Sequence, residues 1–177
     1  GLEGLATLPR DVLISSWHYG PMPEFDFGEK AIAMGFELQI MTSMNSHELF
    51  PMLESAAVNV ETFVPHAHRL RAIGAVHTNW GDVNSFRDYT WPGNAHFAEW
   101  VWRPDGRPWA ELLPLAAETL FGPGTGDVAA AYRCLGDAPA YFGWAVVVLG
   151  TPIHNCFFDP AEPRPLDDAK LKLLSEY

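Results

Sequence analysis

The first 82 residues alternate between apolar strand-like runs and helical repeats, and this order constrains the fold more than any other feature. Strand-like runs occur at residues 11–20, 36–44 and 75–80, and a short helix ending at glycine is predicted at 29–35. A strand–helix–strand–helix–strand order is typical of a parallel sheet with crossover helices, so we predict an α/β fold. The first run shows little alternation of polar and apolar residues, which predicts a strand covered on both faces.

The clearest helical repeat lies between the second and third strand-like runs. Pro65 is expected to kink or interrupt this helix, because proline lacks a backbone N–H and crowds the preceding turn. The apolar residues recur at spacings of three and four, as one buried helix face requires: Leu53, Ala56, Ala57, Val60, Phe63, Val64, Ala67 and Leu70.

Beyond residue 82 the pattern changes to helices. A loop at 83–93 precedes predicted helices that begin at 94 or 95 and end at 102, span 109–121, and span 127–135. Residues 141–149 are apolar and fit a helix or a strand equally well. A terminal helix is predicted from Leu166, after a proline-rich stretch.

Composition and charge exclude several classes of partner. A chain of 177 residues fits one domain with a sizeable core. The net charge of −11 argues against a nucleic acid or an anionic membrane as partner. The start of the chain, Gly1-Leu2-Glu3-Gly4, lacks the basic and apolar regions of a signal peptide. We expect a soluble protein whose compartment the sequence leaves open.

No residue spacing indicates a metal or a cofactor, and we expect neither. Cys134 and Cys156 lack the spacing of a metal site. A disulfide between them stays open, although we favour two buried thiols. His66 and His68 lie two apart, which places them on different faces of a helix and disfavours a shared metal.

The third strand-like run ends in the polar aromatic cluster Thr78-Asn79-Trp80-Gly81-Asp82. A Trp ring can stack on the apolar face of a sugar while a carboxylate accepts hydrogen bonds from its hydroxyl groups. In α/β barrels, the C-terminal ends of the strands carry such binding residues. A core Trp beside an exposed turn Asp explains the cluster equally simply. His77 should face away from Thr78 and pack beneath the helices.

The order of these segments resembles the second half of the catalytic barrel of glycoside hydrolase family 20, the β-N-acetylhexosaminidases. The similarity covers about residues 8–103 and implies that the three strands are the last three of a (β/α)8 TIM barrel. Residues 1–103 would then be the C-terminal part of a glycosidase barrel, and 104–177 a helical extension packing on it. The matching pieces are Leu8-Pro9, a strand ending Ser16-Trp17-His18-Tyr19, Gly35 before a strand ending Thr42-Ser43, Ser-Ala-Ala-Val-Asn at 55–59, Gly74-Ala75, residues 78–82, and Phe97-Ala98-Glu99-Trp100.

The resemblance implies substrate-binding roles for residues at the strand ends. Trp17 would be a pocket aromatic, Trp80 would stack on a terminal N-acetylhexosamine, and Asp82 would bind ring hydroxyls. Asn79 belongs to the same strand end as Trp80 and is therefore also a candidate substrate-binding residue. For His18, a pocket role and a structural role both stay open.

Two departures from the family limit what this chain is expected to do. Where many relatives carry a Tyr that contacts the N-acetyl group, this sequence has Thr42-Ser43-Met44-Asn45. The family's catalytic Asp-Glu pair is missing, since no Asp-Glu dipeptide occurs in the sequence. Its Glu is the general acid, and its Asp orients the acetamido group that attacks the anomeric carbon.

We therefore expect no catalytic residue in this chain, which would be an inactive fragment or truncated descendant of a hexosaminidase-like enzyme binding N-acetylhexosamine-containing glycans. The alternative is a non-catalytic carbohydrate-binding or self-associating half-barrel. Either way, exposed barrel edges favour a homo-oligomer, because unpaired strand edges recruit further strands.

Overall fold

The structure, a computed structural model, describes residues 2–44, 53–79 and 87–142 and has a mixed α/β fold. Its sheet has three parallel strands in the order β1-β2-β3, with bounds Leu13–Trp17, Glu37–Met44 and Gly74–Asn79. A 3-10 helix spans Arg87–Thr90. The helices are α1 (Leu2–Ala6), α2 (Asp26–Ala33), α3 (Leu53–Leu70), α4 (Trp91–Trp102), α5 (Trp109–Phe121) and α6 (Gly126–Phe142). In these ranges, no helix is both long enough and apolar enough to cross a membrane.

The predicted α/β alternation is confirmed, but several helix boundaries differ. Helix α2 begins at Asp26 rather than at residue 29, with Asp26 and Glu29 in its first turn, where the helix dipole favours acidic groups. Helix α4 begins at Trp91 rather than at 94 or 95, and Pro92 lies at its start, where its missing N–H costs nothing. Helix α1 was not predicted.

Helix α6 is longer than the predicted 127–135 and runs from Gly126 to Phe142. The thiol of Cys134 is exposed on this helix, so the expected burial of that cysteine is wrong. Its position on the solvent side of an amphipathic helix is the reason, because neighbouring Ala129 and Tyr132 take the buried side. Cys156, the apolar run at 143–149 and the predicted helix from Leu166 lie outside the described residues.

Pro65 lies inside α3, and the helix nevertheless continues from Leu53 to Leu70. The expected interruption does not occur. A proline in a helix interior costs ~3 kcal/mol. Burying one large apolar side chain contributes about 1.5–3 kcal/mol. Phe63 and Val64, just before the proline, are both almost fully buried, so packing against the sheet outweighs the lost hydrogen bond.

One face of the sheet is covered by helices α2, α3 and α4. The strand register places Ile14 beside Leu38 and Ile40 beside Ala75, so these four side chains share a face. They lie in one core, which includes the following residues from the helices and the turns before or after α2: Phe25, Ala31, Phe36, Val60, Phe63, Val64 and Ala67, with Phe97, Trp100 and Val101 packed against it.

The opposite face is not covered by any described helix. Strand β1 alternates exposed and buried residues, and Leu13 and Trp17 on this face are 39% and 40% exposed. Trp17 lies in register with Met41, which in turn lies in register with Val76. Within the described residues β1 is therefore covered on one face only, unlike the expected cover on both faces, because the described helices that pack on the sheet all lie on its other side. We call this surface the open face.

Helices α5 and α6 pack on the side of α3 that is turned away from the sheet centre. They form a second core with the end of β2 and the first half of α3. Its buried members are Met44, Leu53, Ala56, Ala57, Trp109, Leu113, Ala117, Ala129 and Tyr132. Helices α5 and α6 are thus attached through apolar packing to the α/β unit.

Replacing Gly93 with Ala should destabilise the fold where α4 meets the end of β2. A Cβ atom at Gly93 would lie 2.3 Å from the sulfur of Met44, which is fully buried. Overpacking of this kind costs roughly 1–3 kcal/mol. Urea unfolding should show that loss for Gly93→Ala. Gly126→Ala is the matched control, since nothing lies within 4 Å of a Cβ there. Equal stability of the two variants would contradict the packing described.

Candidate functional site

The carboxyl ends of the three strands meet at one edge of the sheet. Strand β1 ends at Trp17, whose register partner is Met41, while β2 and β3 continue to the paired residues Met44 and Asn79. The backbone N–H of His18 still donates to the Met41 carbonyl at 3.1 Å, which continues the ladder by one residue. Of the predicted site residues, Trp17, His18 and Asn79 lie along this carboxyl edge, but Trp17 is on one face of the sheet and His18 and Asn79 are on the helix-covered face.

An aromatic pair lies where β1 reaches the carboxyl edge. The ring centroids of Trp17 and Tyr19 are 5.1 Å apart, with an angle of 45° between the ring planes. Residues two apart in an extended segment point to the same side, so both rings lie on the side of the open face. Tyr19 is half-buried and Trp17 more exposed. Sequence reasoning missed Tyr19, although its spacing from Trp17 was a usable signal.

His18 points the other way, towards the helices. Its ring makes edge contacts with Phe63 and Phe25, with centroid distances of 5.3 and 6.1 Å. Its Nε2 atom lies 3.2 Å from Ser16 Oγ. Burial lowers the pKa of His18, which favours the neutral ring. These contacts account for His18 as a structural residue beneath the sheet, on the face away from the aromatic pair.

Asn79 ends β3 as an exposed residue at the same edge. Its side-chain Nδ2 donates to Asn94 Oδ1 on α4 at 3.0 Å. The amide pair ties the strand end to the first turns of α4. Trp80 and Asp82, the next two predicted binding residues, lie outside the described residues.

The last residues of β2 are buried, and their polar groups are hydrogen-bonded inside the fold. Thr42, Ser43 and Met44 are all fully buried. Ser43 Oγ donates to the Thr78 carbonyl at 3.4 Å, and the Ser43 N–H donates to Asn59 Oδ1 at 3.3 Å. The hydrogen bonds of Ser43 thus join β2 to β3 and to helix α3.

Two further histidines pack inside the fold: His77 of β3 is half-buried against α4, and His96 of α4 is buried beside Trp109 of α5. His77 stacks on Phe97 of α4, with centroids 4.6 Å apart, which confirms that it packs beneath the helices. Its Nδ1 atom lies 2.7 Å from Thr42 Oγ1. Burial, with a smaller effect of nearby His96, lowers the pKa of His77 to about 4.

His96 is 1% exposed. Burial lowers its pKa to about 4, against smaller raising effects of the Arg107 backbone and the Glu99 carboxylate. Its Nε2 lies 3.2 Å from Glu61 Oε1 but is not aligned for a hydrogen bond. That carboxylate oxygen accepts from the Trp109 N–H at 2.6 Å instead. A neutral His96 therefore packs beside Glu61 without an ion pair.

Glu99 of α4 forms an ion pair with Arg107. Its carboxylate accepts from the Arg107 backbone N–H at 3.0 Å and from the Arg107 guanidinium. The guanidinium hydrogen bonds hold the pKa of Glu99 at about 2. Within the three described ranges, no group of three or more His, Cys, Asp or Glu side chains is placed to hold a metal ion.

Comparison with known proteins finds no matching family model, no matching curated protein and no matching solved structure. The inference of function therefore rests on the geometry of the described residues. This geometry offers an aromatic pair, Trp17 and Tyr19, where β1 reaches the carboxyl edge on the open face, while the Asn79–Asn94 amide pair lies at the end of β3 on the helix-covered side. Aromatic rings at such an edge suit a ligand with an apolar surface.

Because the pKa values of His77 and His96 are lowered in the folded protein, we expect the fold to lose stability in mild acid. Both folded-state pKa values lie below the ordinary 6.5, so the unfolded chain binds more protons once the pH falls below 6.5. Above pH 6.5 these two histidines should not make the free energy of unfolding depend on pH. As the pH drops from 6.5 to 4, the free energy of unfolding should decrease. A pKa shift of this size corresponds to a loss of roughly 3 kcal/mol at most in the free energy of unfolding for one histidine.

Urea unfolding at pH values from 7.5 to 4 would measure this slope. His77→Phe keeps an aromatic ring against Phe97 and removes one titrating group, so its stability should fall less steeply with acid. A slope as steep as that of the unmodified chain would contradict the assignment of His77 as a neutral histidine packed inside the fold.

Proposed function

We propose that this chain contributes three consecutive β/α units to a (β/α)8 barrel. The sequential parallel order of the strands and the one-sided position of α2, α3 and α4 support this assignment. In a doubly wound sheet, helices cover both faces. In a barrel, the helices cover the outside only, and the other face of every strand points into the interior. The open face would be that interior face.

The function that the site supports best is binding of a terminal N-acetylhexosamine at the carboxyl edge. The chain would form one wall of the pocket of a β-N-acetylhexosaminidase-like glycoside hydrolase that works by substrate-assisted retaining hydrolysis. The observation that carries the proposal is the aromatic pair of Trp17 and Tyr19 beside the open face. Two adjoining rings at a strand end offer a surface on which a pyranose ring can stack.

In this proposal the chain binds substrate and does not transfer protons. Asn79 offers amide groups at the same edge, and Trp80 and Asp82 follow it directly in the sequence. Because the Asp-Glu pair is missing, the general acid would come from another polypeptide segment that completes the barrel. No cofactor or metal takes part in substrate-assisted hydrolysis of this kind.

Replacing Trp17 with Ala should weaken binding of N-acetylglucosamine about tenfold, because one of the two stacking rings is removed. An NMR titration of the 177-residue chain would measure the change in affinity. The fold should persist, since Trp17 is 40% exposed.

Trp102→Ala is the matched control. Trp102 is 88% exposed at the far end of α4. It lies eight residues beyond Asn94, roughly 12 Å along a helix. Sugar affinity should not change in this variant. An equal loss in both variants, or unchanged affinity in Trp17→Ala, would contradict the proposed platform.

The enzymatic part of the proposal is tested on a polypeptide that carries the complete barrel. It should hydrolyse an aryl N-acetylglucosaminide, while the 177-residue chain alone should not. Asp82→Ala should lower kcat/KM by about 10- to 100-fold, the usual effect of losing a hydrogen bond to a charged group. Unchanged kcat/KM would refute the role of Asp82, and turnover by the short chain would refute the missing-acid argument.

Self-association is a second candidate function, and the open face favours it. Within the described residues, β1 and β3 each pair with a neighbour on one side only. Free parallel edges and an uncovered face drive association. Light scattering should therefore detect a homodimer or a larger assembly. A monomer at high protein concentration would count against this candidate.

A further inference from the structure

One row of side chains on α3 holds the loop that follows the aromatic pair. Asn59, Thr62 and His66 are spaced by three and four residues, so they lie along one side of the helix. Each of them hydrogen bonds to the backbone of Gly20 or Met22, just beyond Tyr19. The loop between β1 and α2 spans residues 18–25. Three long-range hydrogen bonds from α3 to this loop go beyond what the apolar packing of α3 requires.

Asn59 ties this loop to the neighbouring strand. Its Nδ2 donates to the Gly20 carbonyl at 2.6 Å, and its Oδ1 accepts from the Ser43 N–H at 3.3 Å. Asn59 is fully buried although it lies between apolar residues of the helix stripe. A buried amide is stable only when its polar atoms are paired, so its two bonds set the spacing between the loop and the end of β2.

Thr62 and His66 hold both polar groups of one loop residue. The Met22 N–H donates to Thr62 Oγ1 at 2.8 Å, and Thr62 Oγ1 itself donates to the Val58 carbonyl at 2.7 Å. His66 Nε2 lies 2.9 Å from the Met22 carbonyl. The backbone of Met22 is thereby fixed in orientation as well as in position.

The tautomer of His66 follows from its second contact. The Arg69 guanidinium lies 2.9 Å from His66 Nδ1, and arginine can only donate. Nδ1 is therefore the acceptor, and the ring proton on Nε2 donates to the Met22 carbonyl. Arg69 also pairs with Glu29 of α2 at 2.8 Å, so a chain of contacts from α2 through α3 ends on the loop.

We propose that Asn59, Thr62 and His66 are positioning residues for the Trp17–Tyr19 platform and that they set its affinity for N-acetylhexosamine. The inference rests on the proposed function. Holding the loop in one conformation before the sugar arrives removes part of the ordering cost of binding. The row does not touch the sugar, and it acts through the backbone at Gly20 and Met22.

The test variants are Thr62→Val and His66→Gln. Both residues are less buried than Asn59, so replacing them disturbs the fold less. The 177-residue chain is labelled with 5-fluorotryptophan, and Trp17→Phe identifies the Trp17 resonance by its loss. In both variants the Trp17 resonance should move or broaden. Affinity for N-acetylglucosamine should fall about threefold to tenfold, as expected when preorganisation is lost. The thermal midpoint should change by no more than a few degrees.

The chain offers two matched controls. Thr119 Oγ1 donates to the Leu115 carbonyl at 2.8 Å within α5, the same bond that Thr62 makes within α3. His68 Nε2 lies 2.8 Å from the Trp100 carbonyl, as His66 does from that of Met22. Thr119→Val and His68→Gln should leave the Trp17 resonance and the sugar affinity unchanged.

The two readouts separate the two proposals. An unchanged Trp17 resonance in Thr62→Val and His66→Gln overturns the positioning role, whatever the measured sugar affinity. A change of the same size in the control variants Thr119→Val and His68→Gln overturns it as well. A shifted Trp17 resonance in a protein whose unmodified form binds no N-acetylglucosamine supports the positioning role and refutes the proposed function.

Discussion

Helix α3 packs against the sheet with one part of its surface and against α5 and α6 with another. Its residues Val60, Phe63 and Val64 belong to the core beneath the strands, while Leu53 and Ala57 belong to the core shared with the later helices. The same helix makes polar contacts with the loop after β1, with β2 and with α5. Helix α3 thus joins the sheet to α6 and to the start of α5, and α4 makes a second connection to α5.

The crossover helices lie on one face of the sheet, and no helix of residues 2–44, 53–79 and 87–142 covers the other face. A parallel sheet is ordinarily covered on both faces, because its strands cannot bury their apolar side chains otherwise. Leu13 and Trp17 are 39% and 40% exposed on the open face, and the proposals of a barrel interior and of self-association both start from that exposure. At its carboxyl edge, the same surface presents the aromatic pair on which the proposed sugar site depends.

The long α3 repeat and the order of the three strands could be read from the sequence, because periodicity reports directly on which residues are buried. Of the two effects predicted for Pro65, a kink or an interruption, the interruption does not occur, since the packing of Phe63 and Val64 outweighs the local effect of proline. The start of α2 was placed late, because its first turn has acidic residues rather than a strong apolar repeat. His77 was placed correctly, since alternation along a strand decides its side.

By itself, the sequence determined the α/β class, the succession of elements and the residues brought to the strand ends, because each depends on local patterns. Only the tertiary structure decided that all three helices share one face of the sheet, and that the ring of His18 turns towards Phe63 and away from Trp17. It also decided that α3 holds the loop behind the aromatic pair through Asn59 and Thr62. These features join residues far apart in the chain, so no local pattern carries them.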